Sequence, residues 1–402
     1  MVATLKRSPY FEFLNRRPDP SHDAYMQNSA EDRDYINWNH YVLPQDFGDA
    51  EFEYRELRER CAICDVTPMC KIRIRGADAG RFLDHLVTRP VSQLGSMRTT
   101  YTVFCNDDGS LKDDAVLYKI ADDDYVLMPS DIDHTPYFET LRTSLGTAGV
   151  TFELCNDDWC GLAIQGPRSA AVMQQMGFDD VEALAPFAVR DYKRGGCTLR
   201  VARMGFTADL GYELWCEPGM ADTIMQLVRT ARDTLNLGMP GYGLSVIDTC
   251  RMEGGFVVAA WDFATELDPE PGLERSPFEV GLGWLVNLDA CEFPGRDALR
   301  REHEHGSRFT FRTFSLDEKL NLDERAEIFN GPGSDQTVIG ITTSSSWSWG
   351  LEKTIGNASI DSRFQELDSA WILSGDNWVA MTLRQGPLLA LSYRNQVPAP
   401  TE

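Results

Sequence analysis

The chain has 402 residues, of which 43% are hydrophobic and 25% are charged, and its formal net charge is −24. This length and apolar content predict a folded protein of two or three domains and argue against a disordered chain. The excess of acid argues against proteins that grip nucleic acid or anionic membranes without sequence specificity, because both depend on clustered Lys and Arg.

The first pattern whose residues could bind a metal is Cys61 and Cys64, a CxxC pair at the end of FEYRELRERCAIC. No second CxxC follows at zinc-like spacing, so we expect two buried helix cysteines and no metal site. No apolar run reaches 18 residues, and the first residues contain no core of signal-peptide length. We therefore expect a cytoplasmic protein whose ten cysteines are thiols.

Two segments repeat one pattern at an offset of 90 residues. KIRIRGADAGRFLDHL (71 to 86) and GLAIQGPRSAAVMQQM (161 to 176) each run from an alternating strand through a glycine into a helix. Each copy continues into further strand-like segments. We predict an α+β region of duplicated sheet-and-helix units, which with the N-terminal segment occupies residues 1–305.

The stretch CNDDGSLKDDAVLYKI (105 to 120) predicts a hairpin turn that leads into a strand. A calcium loop is excluded, because with Gly109 at loop position 6 the positions that need carboxylates fall on Phe104 and Ala115.

Alternation along this strand separates its two adjacent acids. Asp114 shares a face with Val116 and Tyr118, whereas Asp113 shares the opposite face with Ala115. One aspartate therefore points where apolar side chains point. Both acids can still be purely structural when only this stretch is considered.

After residue 306 the pattern changes to short β-type runs separated by turn signals such as NGPGSD. We predict a small C-terminal β-barrel domain over residues 306–402. The connection before it contains His303 and His305, which we expect to be solvated and free of metal.

Eight motifs, in this order, resemble the aminomethyltransferase (T-protein) family of the glycine cleavage system and its tetrahydrofolate-dependent demethylase relatives. They are CDVTPM (64 to 69), IRIRGADA, YTVFCNDDGSLKDDAVLYK, LAIQGP, RMGFTADLGYEL (203 to 214), GLSVIDTCRMEGG (243 to 255), SPFEVGLGWLVNL (276 to 288) and FPGRDAL (293 to 299). The resemblance extends from about residue 35 to the end of the chain. It implies a three-lobed folate-binding fold with a C-terminal β-barrel and the pterin in a central channel.

The resemblance also implies which residues serve tetrahydrofolate. It assigns Asp114 to the folate nitrogens that handle the one-carbon unit. It assigns Glu213 of GYEL to the pterin ring, whose adjacent N–H donors suit a carboxylate. Tyr101 and Tyr118 match aromatic positions of the folate channel, although each is also an ordinary strand tyrosine. Asp113 is left as a solvated acid of the turn.

Two further aromatic residues, Phe206 and Trp284, are candidates for the cofactor site. Phe206 is also one of three departures from the T-protein pattern, since a tyrosine is usual there. Ile247 replaces an arginine, and Pro68 replaces a frequent histidine. These changes argue against a lipoyl-bound donor and leave the folate half of the site intact.

The N-terminal string WNHYVLP (38 to 44) and the helix after it resemble the dimethylsulfoniopropionate demethylase branch. In that branch the acidic strand entry reads Asn-Asp, which favours Asp114 over Asp113. For the donor we consider Trp38 as aromatic surface, His40 as a hydrogen-bond donor and Arg73 as a partner for a carboxylate. Each also has a structural interpretation, as a core tryptophan, a structural histidine and a solvated strand arginine.

We therefore predict an enzyme that moves a methyl group from a small methylated donor, such as a sulfonium, to N5 of tetrahydrofolate. Direct transfer agrees with the lack of an obvious nucleophile, base and orienting group. We expect a monomer or homodimer with no nucleic-acid or membrane partner.

Three alternatives stay open at this point. They are O-demethylation of an aromatic methyl ether, which needs a general acid, the aminomethyl transfer of glycine cleavage, and non-catalytic folate binding in iron–sulfur assembly. The Lys-Gly-Cys-Tyr-x-Gly-Gln-Glu signature of the last group is absent. A flavin-linked oxidase would need a GxGxxG motif after a strand, and this motif does not occur.

Overall fold

The computed structural model describes residues 5–15, 34–290, 292–334 and 336–398. In these residues two five-stranded sheets and one closed six-stranded barrel form three lobes, as the predicted fold class requires. The described N-terminal elements come first: α1 (Phe11–Asn15), the hairpin β1 (Tyr35–Trp38) and β2 (Tyr41–Pro44), α2 (Ala50–Glu59) and β3 (Ala62–Asp65).

The predicted helix through the CxxC pair is shorter than expected. Asp49 caps the start of α2 by accepting from the Phe52 N–H, and the helix ends at Glu59. Cys61 follows the helix and Cys64 lies in β3, so the helical placement of both cysteines is wrong, although both are buried. The chain extends here because β3 completes a sheet with a strand about 100 residues later.

The first sheet and its covering helices follow β3. Its elements are β4 (Ile72–Arg75), α3 (Ala79–Leu86), β5 (Arg98–Cys105), β6 (Leu111–Ala121), β7 (Asp124–Pro129), α4 (Thr135–Leu145) and β8 (Thr151–Leu154). The strand order is β5-β6-β7-β4-β8, and every pairing is antiparallel. Apolar side chains of α3 and α4 pack on one face of this sheet, which places a buried core between helices and strands.

The second sheet repeats this arrangement. Its elements are β9 (Cys160–Gln165), α5 (Ser169–Gln175), β10 (Val189–Arg194), β11 (Cys197–Ala202), β12 (Gly211–Cys216) and α6 (Ala221–Leu235), and its strand order is β10-β11-β12-β9-β3. Gly76 after β4 and Gly166 after β9 have φ angles of +123° and +119°. A Cβ at either place would collide with a backbone oxygen, at 1.9 Å and 2.4 Å respectively, so both copies use glycine for the same sharp exit. The predicted duplication is confirmed.

The two sheets contact each other through the faces that the helices leave uncovered. Tyr118 and Val126 of the first sheet share a buried cluster with Ala163 and Trp215 of the second. The edges are also linked, because the Thr99 N–H donates to the carbonyl of Phe187 at 2.8 Å. Side chains on these inner faces therefore converge between the lobes.

Two helices lead from the second sheet to the barrel, α7 (Leu244–Glu253) and α8 (Arg296–His305). His303 and His305 lie in the last turn of α8, and both are exposed, as expected for solvated histidines. Helix formation separates the two rings, because residues two apart do not face each other on a helix. The described residues contain no cluster of metal-binding side chains.

The third lobe is a closed barrel with strand order β13-β16-β15-β14-β17-β18. Its strands are β13 (Phe309–Leu316), β14 (Glu327–Phe329), β15 (Val338–Ser348), β16 (Lys353–Asp361), β17 (Ser369–Ser374) and β18 (Asn377–Arg384). The predicted boundary after residue 305 falls between α8 and β13, and an independently folding barrel domain stays a prediction. No helix in the described ranges is long and apolar enough to cross a membrane.

Candidate active site

The inner face of β6, which α3 and α4 leave uncovered, carries Asp114, Val116 and Tyr118 in a row. Val116 and Tyr118 belong to the apolar cluster that joins the sheets. Ala115 and Leu117 point the other way, into the core under α3 and α4. The predicted alternation is therefore present, and it directs Asp114 between the lobes.

Tyr101 holds Asp114 from the neighbouring strand β5. Its hydroxyl donates to Asp114 Oδ2 at 2.6 Å. Burial raises the pKa of Asp114 to about 7, and the adjacent Asp113 carboxylate acts in the same direction. A carboxyl with this pKa can accept or donate a hydrogen bond near neutral pH, which is useful next to a reacting group.

Glu213 on β12 meets Tyr118 across the boundary between the sheets. Its Oε2 accepts from the Tyr118 hydroxyl and from the Trp215 indole, both at 3.2 Å. The same indole N–H also lies 3.1 Å from the Tyr118 oxygen, so the three side chains brace one another. Glu213 is 5% exposed, and burial raises its pKa.

The second oxygen of Glu213 has the chemistry that a pterin needs. Among the described residues, Oε1 accepts no hydrogen bond, whereas Oε2 is held by two donors. A carboxylate fixed through one oxygen has acceptor capacity left for the N–H groups of a ligand. The acceptor capacity of Glu213 therefore fits the N–H groups of a 2-amino-4-oxo pterin.

The distance between Asp114 and Tyr118 suits a ligand that extends between the lobes. Four residues of an extended strand span about 13 Å. A ring bound at Glu213 would direct the rest of its molecule along Val116 toward Asp114. The four predicted residues therefore form two hydrogen-bonded pairs, Tyr101 with Asp114 and Tyr118 with Glu213.

Phe206 and Trp284 both present aromatic surface to solvent. Phe206 is 40% exposed and stacks on Phe256 with ring centroids 5.5 Å apart. Trp284 is 65% exposed, and the Arg89 guanidinium lies 5.5 Å from its ring centroid. Arg89 also donates to the Tyr101 carbonyl at 2.8 Å, so Trp284 lies beside the strand that carries Tyr101.

The three donor-site candidates have separate surroundings. Trp38 donates to Asp131 at 3.1 Å, and His40 is exposed at the turn of the β1–β2 hairpin with a φ of +66°. Arg73 forms a two-bond ion pair with Asp124 at 2.7 and 2.9 Å. In the described residues no hydrogen bond or ion pair links any of the three to Asp114 or Glu213. The side chain of Arg73 is 31% exposed, and Asp124 already compensates its charge.

The expectation that Asp113 is a solvated turn residue is wrong. The turn lies at Asn106 to Gly109, and Asp113 lies inside β6 with no exposed surface. Ser130 Oγ and His134 Nε2 each donate to its Oδ2 at 2.7 Å. The side chain is buried because it points to the helix-covered face, where the start of α4 closes over it.

A second polar network was not predicted from the sequence. Arg251 on α7 is 1% exposed and donates to Asp248 at 2.5 Å and to Asp262 at 2.9 Å. Asp262 also accepts from Asn357 of the barrel at 3.2 Å, and its charge raises the pKa of Tyr101. The i, i+3 spacing of Asp248 and Arg251 was a detectable signal. Asp262 had no comparable signal, because its barrel partners Ser344 and Asn357 lie more than 80 residues further along the chain.

Duplicated sheet-and-helix lobes, a closed barrel and buried acids on the inner faces of the sheets are the features of an aminomethyltransferase-type protein. The family model described as GCVT N-terminal domain matches residues 22–290, so the chain belongs to this T-protein family.

Individual relatives agree with this assignment. The chain is similar to an aminomethyltransferase of Caldanaerobacter subterraneus subsp. tengcongensis, with 28% identity over 378 residues that cover 94% of each chain. It is 26% identical over 379 residues to an aminomethyltransferase of Thermoanaerobacter pseudethanolicus, covering 94% of this chain and 96% of the relative.

The fold has a solved counterpart. The crystal structure of glycine cleavage system aminomethyltransferase T from Bartonella henselae matches 96% of this chain and 98% of its own, with a TM-score of 0.79 and 17% identity. The predicted family and fold are confirmed, as is the class of tetrahydrofolate-dependent one-carbon transferases. Closeness to the dimethylsulfoniopropionate demethylase branch stays a prediction.

Proposed function

We propose that this protein transfers a methyl group from a small methylated donor to N5 of tetrahydrofolate. The observation that carries the proposal is the row of Asp114, Val116 and Tyr118 on one face of β6, with Glu213 bonded to Tyr118 at its far end. This row supports a ligand whose ring is recognised at Glu213 and whose reacting part lies near Asp114.

The side chains act mainly by positioning. Glu213 accepts the N–H groups of the ring through its available oxygen, while Tyr118 and Trp215 prevent the carboxylate from turning. Tyr101 fixes one oxygen of Asp114 and leaves this carboxyl next to the transferred group. When bound, tetrahydrofolate supplies N5, a neutral amine near pH 7, as the methyl acceptor. Orientation of two bound reactants by itself can supply much of the rate enhancement.

Aromatic surface and acidic charge support a cationic donor such as a sulfonium. Phe206 and Phe256 offer stacked rings at a position where T-proteins usually carry a tyrosine. Ile247 packs in the apolar cluster between the sheets, where an arginine is usual. Ring faces attract cations, and a net charge of −24 increases the local concentration of cationic ligands. The donor leaves as a neutral thioether and the acceptor amine releases its one proton to solvent, so the positive charge disperses during transfer, which a poorly hydrated pocket favours.

Aminomethyl transfer is the second candidate, favoured by the names of the relatives. The raised pKa of Asp114, about 7, also suits a donor whose leaving nitrogen or oxygen takes up a proton. For the same reason, aromatic methyl ethers stay among the candidate donors. A single experiment separates these donors.

The test is incubation with tetrahydrofolate and a donor panel, with mass spectrometry of the folate products. The panel contains dimethylsulfoniopropionate, a betaine, an N-methyl amine, an aromatic methyl ether and an aminomethyl-lipoyl carrier protein. We expect 5-methyl-tetrahydrofolate from the sulfonium and only background methylene-tetrahydrofolate from the carrier. Robust methylene-tetrahydrofolate would replace our proposal with aminomethyl transfer. Folate binding without product from any donor would indicate a binding protein.

Reduced folate is expected to bind without metal or flavin. The reason is that the described residues hold no cluster of metal-binding side chains, and His303 and His305 occupy a helix end. Calorimetric binding after exhaustive chelation should equal binding before it. Loss of binding after chelation would show that cysteine or histidine ligands had been underestimated.

A further inference from the structure

A buried polar cluster of Asp113, Ser130 and His134 lies directly behind Asp114. We propose that Asp113, clamped by Ser130 and His134, is a positioning residue that orients Asp114 and acts electrostatically on its carboxyl. This inference rests on the proposed function only in taking Asp114 as the acid at the reacting centre.

Three donors converge on Asp113 from three elements. Ser130 Oγ, just after β7, and His134 Nε2, at the start of α4, lie 2.7 Å from Oδ2. The backbone N–H of Asp114 lies 2.8 Å from Oδ1. Asp113 has 0% and His134 has 2% exposure. Each of these three partners can donate to Asp113, and the third bond ties Asp113 to the backbone of Asp114 itself.

The His134 ring has little freedom to leave this position. Phe104 packs edge-on against it, with centroids 4.9 Å apart and planes at 83°. Phe138 stacks on it at 6.0 Å and 24°. His134 also accepts the first hydrogen bond of α4 through its carbonyl, from the Phe138 N–H at 2.9 Å. The helix therefore aims Nε2 at Asp113.

The charges around Asp114 act in one direction. After burial, the Asp113 carboxylate is the largest cause that raises the pKa of Asp114. Asp262, from the loop after α7, acts on the Tyr101 that holds Asp114, and Asp131, after β7, interacts with Asp113 and His40. Within the described residues no cation forms an ion pair with Asp114. Asp113 itself contacts one ionisable partner, the ring of His134.

The test measures the titration of Asp114 directly and needs no methyl donor. Protein labelled with ¹³C at aspartate side-chain carboxyls is titrated by NMR, and the Asp114 signal is assigned by its loss in Asp114→Asn. The wild-type midpoint should lie near pH 7. In Asp113→Asn the amide can keep the hydrogen-bond network, since His134 can change tautomer, but the charge is lost. The Asp114 midpoint should then fall by roughly one pH unit or more.

Variants at His134 separate positioning from simple stability. His134→Leu removes a donor, so the buried Asp113 takes up a proton more readily and the Asp114 midpoint should also fall. His134→Gln keeps an N–H donor and should restore the wild-type midpoint. Leu83→Ala, in the apolar core of the same lobe, should lower Tm without moving the midpoint.

An unchanged midpoint in Asp113→Asn, or a His134→Gln variant that behaves like His134→Leu, would overturn the proposal. The donor panel can give no 5-methyl-tetrahydrofolate while the titration midpoint of Asp114 still shifts in Asp113→Asn. That result would remove the proposed reaction and leave the coupling of Asp113 to Asp114 in place.

Discussion

Replacing Asp114 with Asn is expected to lower the rate of one-carbon transfer by about 10²-fold or more while most folate affinity remains. Asp114 lies on the inner face of β6, and Tyr101 holds it at 2.6 Å, next to the place where we propose that the one-carbon unit moves. The amide cannot carry the charge or supply the proton of that carboxyl. The measurement is kcat with the active donor, together with calorimetric folate binding.

Asp113→Asn is the comparison for this prediction. Because Asp113 is fully buried with three donors, we expect it to lose roughly 1–3 kcal/mol of unfolding free energy. Its rate should fall much less than that of Asp114→Asn when each variant is assayed at its own optimal pH. Circular dichroism and thermal melts would identify misfolding. Equal rate losses in two folded variants would remove the role that we assign to Asp114.

Replacing Glu213 with Gln is expected to weaken binding of reduced folate by roughly 10- to 10²-fold. Hydrogen bonds to a charged group contribute about 1.5–3 kcal/mol, and each 1.4 kcal/mol is about a factor of ten in affinity. Glutamine has only one acceptor oxygen, and the donors of Tyr118 and Trp215 already compete for it. Titration calorimetry with tetrahydrofolate under anaerobic conditions measures the effect.

Tyr118→Phe serves as the matched control for Glu213. It removes one of the two donors to Oε2 and leaves the ring, the carboxylate and the Trp215 bond in place. We expect a loss of affinity below tenfold, because one neutral donor contributes about 1 kcal/mol. Wild-type affinity in a folded Glu213→Gln variant would show that the ring is recognised elsewhere.

The strand β6 shows which structural features could be predicted from the sequence and which could not. Side-chain alternation is a local property of an extended backbone, so the separation of Asp113 from Asp114 followed from residue order alone. The environment of each face did not follow from residue order. Asp113 was expected in solvent, yet α4 covers that face and supplies His134, 21 residues later in the chain.

The paired glycines, like the side-chain alternation, could be predicted from the sequence. Gly76 and Gly166 need φ angles that other residues rarely adopt, and each is followed by a helix, so the repeat could be read from spacing. The CxxC pair shows the opposite case. Its residues fit a helix locally, but pairing of β3 with β9 made the segment extended. Tertiary pairing outweighed a local preference of a few tenths of a kcal/mol per residue, roughly the range of helix propensities.

The sequence by itself determined the duplicated α+β lobes and the β-rich segment after residue 306. These follow from periodicity, turn residues and motif order, which depend on neighbours a few positions apart. Only the tertiary structure decided which side chains meet. Tyr118 and Glu213 are 95 residues apart and touch because the uncovered faces of two sheets bury their apolar surface against each other. Burial and charge at one place depend on every element that packs there, and no local pattern encodes that sum.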